Sequence, residues 1–111
     1  MGHINYRDFL DVDIRAGKVI RVDDFPKARK ASYRLWIDFG PLGVKRSSAR
    51  ITKLYGKDEL LDRFVLAVVN FAPKQVADFI SEVLVLGVVL DEDRVVLIGP
   101  DREIAPGLRV L

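Results

Sequence analysis

The sequence contains no cysteine and only one histidine, His3, in 111 residues. Without thiols there is neither a disulfide framework nor a thiolate metal site, and such a composition suits a reducing compartment, the cytoplasm by default. With a single imidazole three residues from the start, a histidine metal cluster or a Ser-His nucleophile pair needs a second chain. Long apolar runs are missing too. None reaches the ~18 residues of a membrane span, and Met1-Gly2-His3-Ile4-Asn5 has no basic stretch followed by an apolar one, so a soluble, untargeted protein with no membrane partner is expected. The eight glycines are scattered and form neither GxxxxGK nor GxGxxG, which argues against a phosphate-cradling loop. Lys57-Asp58-Glu59-Leu60 spells a retention signal that is read only at a C-terminus, and here it is internal. Asp91-Glu92-Asp93 reads as a solvated turn rather than a calcium loop, because it lacks alternating oxygen ligands over about twelve residues. No pair of carboxylates stands out for acid-base work. These absences point away from an enzyme and imply no cofactor.

What is present is a hydrophobic half and a lopsided charge. Half the residues are hydrophobic, enough for one compact domain spanning 1–111 with one core. The net charge is only +2, yet the stretch from Phe25 to Lys57 holds nine bases and a single acid, Asp38. That stretch carries +8 and the remainder −6. If its bases share a face, a polyanion is drawn to a field that the total charge conceals; a solvated basic surface is the plain alternative.

Asn5, with Asp8 three positions on, predicts a capped short helix whose Tyr6, Phe9 and Leu10 cover one end of a sheet. Alternation from Val12 to Val22, with Val12, Ile14, Ala16, Lys18, Ile20 and Val22 on one side and mostly polar residues on the other, predicts a half-buried first strand, with a bulge or tight bend at Gly17. Tyr33, Leu35, Ile37 and Phe39 alternate with polar partners as a second. Gly40-Pro41-Leu42-Gly43 is a turn, and a third strand starts at Val44 and runs through Arg46-Ser47-Ser48-Ala49-Arg50-Ile51. Asp58 to Leu61 is a helical turn with acids at its start. Phe64–Val69 and Val83–Leu90 are apolar on both faces, so their outer faces need a cover, either the N-terminal helix or a second subunit. Val95–Ile98 is a last short strand. Short strands at close spacing with no helix-strand alternation predict an all-β fold, a five-stranded Greek-key barrel of the oligonucleotide-binding kind with a short N-terminal helix and C-terminal extension strands.

Barrels of this kind bind oligonucleotides across strands two and three, with cations on phosphates and rings on bases. Lys45, Arg46, Arg50, Lys53 and Lys74 suit phosphates, while Ser47, Ser48, Asn70 and Ser81 suit hydrogen bonds to phosphate or ribose. Trp36, Phe71 and Phe79 are ring candidates, and each has an equal reading as core. For an extended apolar peptide the candidate contacts are Phe71, Phe79 and Ile80.

Several runs resemble the tRNA-binding domain family across nearly the whole chain: Asp13 to Ile20, Pro26-Lys27-Ala28-Arg29-Lys30, Leu35 to Gly40, Tyr55 to Leu60, and Asn70-Phe71-Ala72-Pro73. The family also occurs appended to methionyl- and phenylalanyl-tRNA synthetases. Arg46 to Lys53 and Ser81 to Gly87 are similar to its free-standing branch, the CsaA proteins. The resemblance implies binding of tRNA or another structured RNA, a homodimer, and export-related chaperone activity toward unfolded or exported polypeptides. The chain departs from the wider family at Ala72-Pro73 in place of Lys-Pro, at Ala77-Asp78 in place of Arg-Gly, and at Ser81-Glu82-Val83-Leu84 in place of Ser-x-Gly-Met. These changes remove a cation and a glycine, add an acid that tolerates a left-handed turn at Asp78, and make the site more apolar, which suits a peptide groove.

Overall fold

The computed structural model describes residues 2–111. In chain order the elements are α1 (Tyr6–Leu10), β1 (Ile14–Asp24), β2 (Tyr33–Asp38), a 3-10 turn (Gly40–Leu42), β3 (Val44–Ala49), α2 (Lys57–Leu60), β4 (Phe64–Val68), β5 (Lys74–Val76), β6 (Phe79–Ser81), β7 (Leu84–Val85), β8 (Gly87–Val89) and β9 (Val95–Leu97). The main sheet is antiparallel in the order β3-β2-β1-β4-β7, while β5 and β6 form one small hairpin and β8 and β9 another. The amides of Glu82 and Val83 both donate to the carbonyl of Arg46, which brings the β6–β7 segment against β3 and nearly closes the barrel. The all-β, five-stranded barrel with extension strands is the fold expected from the sequence.

Strand β1 is long enough to serve two neighbours. Its first half, Ile14 to Lys18, pairs with β4, and its second half, Lys18 to Asp24, pairs with β2. The register slips between Val19 and Arg21, leaving Ile20 as the bulged residue. A bulge or tight bend was expected at Gly17, and the inner face on the even residues; the bulge falls at Ile20 instead, and the even residues face inward only beyond it. Before the bulge the odd residues line the core, with Gly17 opposite Val65 and Val19 opposite Ile37; after it the even ones do, with Val22 opposite Leu35. One extra residue reverses the phase of the alternation. Ile20 is accordingly exposed, and Ala16, on the outer face, is buried beneath the C-terminal segment, where Leu108 accepts its N–H and Gly107 donates to its carbonyl.

Gly17 has a different task. A Cβ there would sit 2.6 Å from Ile37 Cγ2 and 2.6 Å from the Phe39 ring, so the glycine lets β2 cross directly over β1. Strand β2 follows the sequence reading closely, with Leu35, Ile37 and Phe39 wholly buried against Val19, Val65 and Leu60. The other expectations about cover divide. Asn5 and Asp8 form the capping box, but no residue of α1 is buried and Tyr6 is 67% exposed, so this helix does not cover the sheet. Cover for β4 comes from the chain's own C-terminal segment: Leu66 donates to the Ile98 carbonyl, and Gly99 lies against the Phe64 carbonyl. The β8–β9 hairpin keeps Val88, Val89 and Leu90 exposed.

Replacing Gly17 by alanine overpacks the core beneath β2, and the expected cost is about 1–3 kcal/mol, read as a lower midpoint in thermal or chemical unfolding.

Candidate nucleic-acid interface

Two rows of side chains cross the outer face of the β1-β2-β3 meander. Arg21, Trp36 and Arg46 are in register in one row, and Asp23, Arg34 and Ser48 in the next. The Arg21 guanidinium lies 4.2 Å from the centre of the Trp36 ring, and Phe79 of β6 meets that ring edge-on at 5.7 Å. Phe25 packs on Phe79 in turn, while Arg46 and Arg34 stand 5.4 and 5.5 Å over Phe79 and Phe25. Three rings and three guanidiniums thus form one continuous stack that seats the β5–β6 hairpin on the sheet. Phe79 was expected as a peptide contact. Only 5% exposed, it is the hairpin's anchor instead.

The same alternation divides the basic strand. Lys45, Ser47 and Ala49 pair with Ile37, Leu35 and Tyr33 on the inward side, whereas Arg46 and Ser48 point outward. Ser47 is wholly buried and its hydroxyl donates to the Ser48 carbonyl, so it does not face a ligand as expected. Three other expected ligand groups are engaged in holding the fold. The Asn70 side chain accepts from the Asp13 amide and donates to the Asp11 carbonyl. Ser81 Oγ accepts from the Ser48 amide at 3.1 Å, and Arg46 pairs with Glu82, 3.4 Å from Nε to Oε1.

What the fold does assemble is a groove of about 650 Å³ between the loop after β1 and the β5–β6 hairpin. Lys27, Ala28, Arg29 and Lys30 form one wall, Lys74 to Ala77 the other, and Ser48 and Arg50 lie between them. Of the residues expected to bind RNA, the groove gathers Ser48, Arg50 and Lys74. Lys53 lies just beyond, in a small cleft with Lys30, Arg50 and Asp93. Lys27, Arg29 and Lys30 were visible in the sequence as part of the basic stretch but not as part of the site, because only the crossing of the loop past the hairpin makes them neighbours of Arg50. Strand β5 separates this groove from a second one of about 360 Å³, lined by Phe71, Ala72, Val83 and Leu84 and by Ser48, Lys74 and Val76, which border both. Phe71 is 55% exposed there, while Ile80 lies outside both grooves.

The tRNA binding domain model matches residues 14–109, which include every strand and both grooves. The chain belongs to the tRNA-binding domain family. Among curated relatives of this family, the methionine–tRNA ligase of Thermococcus onnurineus is 34% identical over 108 residues, 97% of this chain, and the chain spans 14% of that protein's length. Two solved structures are similar over their entire length: the chaperone CsaA of Bacillus anthracis (47% identity, TM-score 0.94, 99% of this chain and 100% of that one) and the CsaA chaperone protein of Picrophilus torridus (50% identity, TM-score 0.90, 98% and 100%). Within the tRNA-binding domain family the chain is thus CsaA-like.

One departure from the family pattern is settled by the backbone. The turn joining β5 to β6 has two residues, and the left-handed one is Ala77, with φ 51°, not Asp78. A turn of this kind favours glycine at its first central position. Ala77→Gly is expected to stabilise the protein by up to about 1 kcal/mol in chemical denaturation, the relief of left-handed strain exceeding the entropy glycine adds to the unfolded chain.

Proposed function

We propose that this chain is a non-catalytic, CsaA-like tRNA-binding protein of the cytoplasm that also holds unfolded, export-competent polypeptides, and that it works as a homodimer. The observation that carries the RNA reading is the basic groove. Five cations, Lys27, Arg29, Lys30, Arg50 and Lys74, line one concave surface above a small hydroxyl, Ser48. Lysine ammoniums on flexible stems and guanidinium forks suit a phosphate backbone read by shape, and the neighbouring Lys53 extends the positive path. The groove bears no exposed aromatic ring, so stacking on unpaired bases contributes little to this reading and contacts to phosphate and ribose dominate.

The adjoining groove supports the polypeptide reading. Phe71, Ala72, Val76, Val83 and Leu84 offer an apolar trough at the foot of an exposed hairpin, which suits side chains of an extended segment. For the dimer, the support is the apolar β8–β9 hairpin, where Val88, Val89, Leu90, Val96 and Ile98 are all exposed. Among the described residues no helix is long and apolar enough to cross a membrane.

In a salt titration of binding to folded tRNA, Arg50→Ala with Lys74→Ala is expected to weaken binding and to reduce the slope of log affinity against log salt by about two. An unchanged slope would remove RNA from the assignment. An apolar peptide is expected to bind with little dependence on salt, and Phe71→Asp to abolish that binding while leaving the tRNA slope intact. Val89→Asp is expected to convert a dimeric mass in light scattering into a monomeric one.

A further inference from the structure

The two walls of the basic groove are joined at the rim. Lys27 Nζ, on the loop wall, lies 3.0 Å from Asp78 Oδ2, at the tip of the hairpin wall. Both side chains are well exposed, 70% and 53%, so the contact contributes little to stability and a competing anion can reach it. The Lys27 ammonium holds the Asp78 carboxyl below the usual carboxylate range, with Arg34 adding to the effect, so the acid keeps its charge at neutral pH. The hairpin wall belongs to its own two-stranded sheet, separate from the barrel sheet. It is seated through the Phe79 stack and through Ser81 and Glu82 at its far end, while its tip meets the loop through this pair.

Resting on the RNA reading of this groove, we propose that the Lys27–Asp78 pair is a clasp that a phosphate of the bound RNA must displace, which makes Asp78 the residue that limits affinity. Two effects act together. While the clasp is closed Lys27 is neutralised and its charge is withheld from the ligand, and the carboxylate faces any phosphate that approaches the rim. When a phosphate takes Lys27, the carboxylate is left unpaired beside it. The freed carboxylate gathers one cation for the one that Lys27 releases from the phosphate, so the cations with a net effect on counterion release in the wild-type protein are Arg29, Lys30, Arg50 and Lys74. The mirror arrangement does not occur at Arg46: its partner Glu82 also accepts from the Arg46 amide, so that pair belongs to the barrel closure and does not open with the groove.

The test compares wild type, Asp78→Asn, Lys27→Ala and the double variant for binding of a folded tRNA transcript across a salt series. Asp78→Asn is expected to tighten binding on the order of fivefold at low salt and to steepen the salt slope by about one. Lys27→Ala alone is expected to change the slope little, and in the Asp78→Asn background to cancel the gain. Salt-dependent binding with the same slope in wild type and Asp78→Asn overturns the clasp and leaves the RNA reading standing. A slope that falls by one on Lys27→Ala in the wild-type background also overturns it, because Lys27 then adds a net released counterion with Asp78 in place and the clasp withholds nothing. Absence of salt-dependent binding in all four proteins overturns the clasp and the RNA reading together.

Discussion

The fold depends on one strand doing the work of two. Strand β1 gives its first half to β4 and its second half to β2, and the exchange takes place around Lys18, which pairs with both. A flat strand would continue one sheet; here the bulge at Ile20 increases the local twist, and the missing side chain at Gly17 lets Ile37 and Phe39 pass close above. The sheet curls far enough for the segment after β6 to reach β3. Everything outside the barrel, including both grooves, takes its position from that curl.

On the convex side, the same meander serves as a foundation. Its outward residues include Arg21, Arg34, Trp36 and Arg46, and Trp36 and Arg46 stack against Phe79 of the small hairpin. Arg21 on Trp36, Trp36 on Phe79 and Phe79 on Phe25 tie three strands and a loop together. The grooves on either side of β5 exist because this hairpin stands away from the sheet on its aromatic anchor, held at its base by Ser81 and Glu82.

Alternation in β2 was legible residue by residue, since Tyr33, Leu35 and Ile37 occupy an unbroken strand with one face in the core, and Phe39 just beyond it continues the pattern. In β1 the same kind of pattern pointed to the wrong face ahead of the bulge, because a bulge leaves no mark in polarity when the extra residue, Ile20, is itself apolar. Chemistry at the site suffered from a related limit. Charge counting found the basic stretch, but Lys45 and Ser47 share it with Arg46 and Ser48 while facing the other way, and Asn70, Ser81 and Arg46 spend their polar atoms on the fold. Lys27, Arg29 and Lys30 join the site through neighbours distant in the sequence, as in the Lys27–Asp78 pair, 51 residues apart, and no local pattern encodes that separation.

Trp36 is the one tryptophan of the chain, and it sits on the outer face of β2 beneath a guanidinium and against the hairpin anchor. The protein therefore carries its own optical probe. Indole emission from this molecule comes from a single environment, the seat of the β5–β6 hairpin, with no background from the core or from the termini. Any event that lifts the hairpin, shifts Arg21 or admits water beside Phe79 is written into the wavelength and intensity of that emission, without a label attached anywhere on the surface.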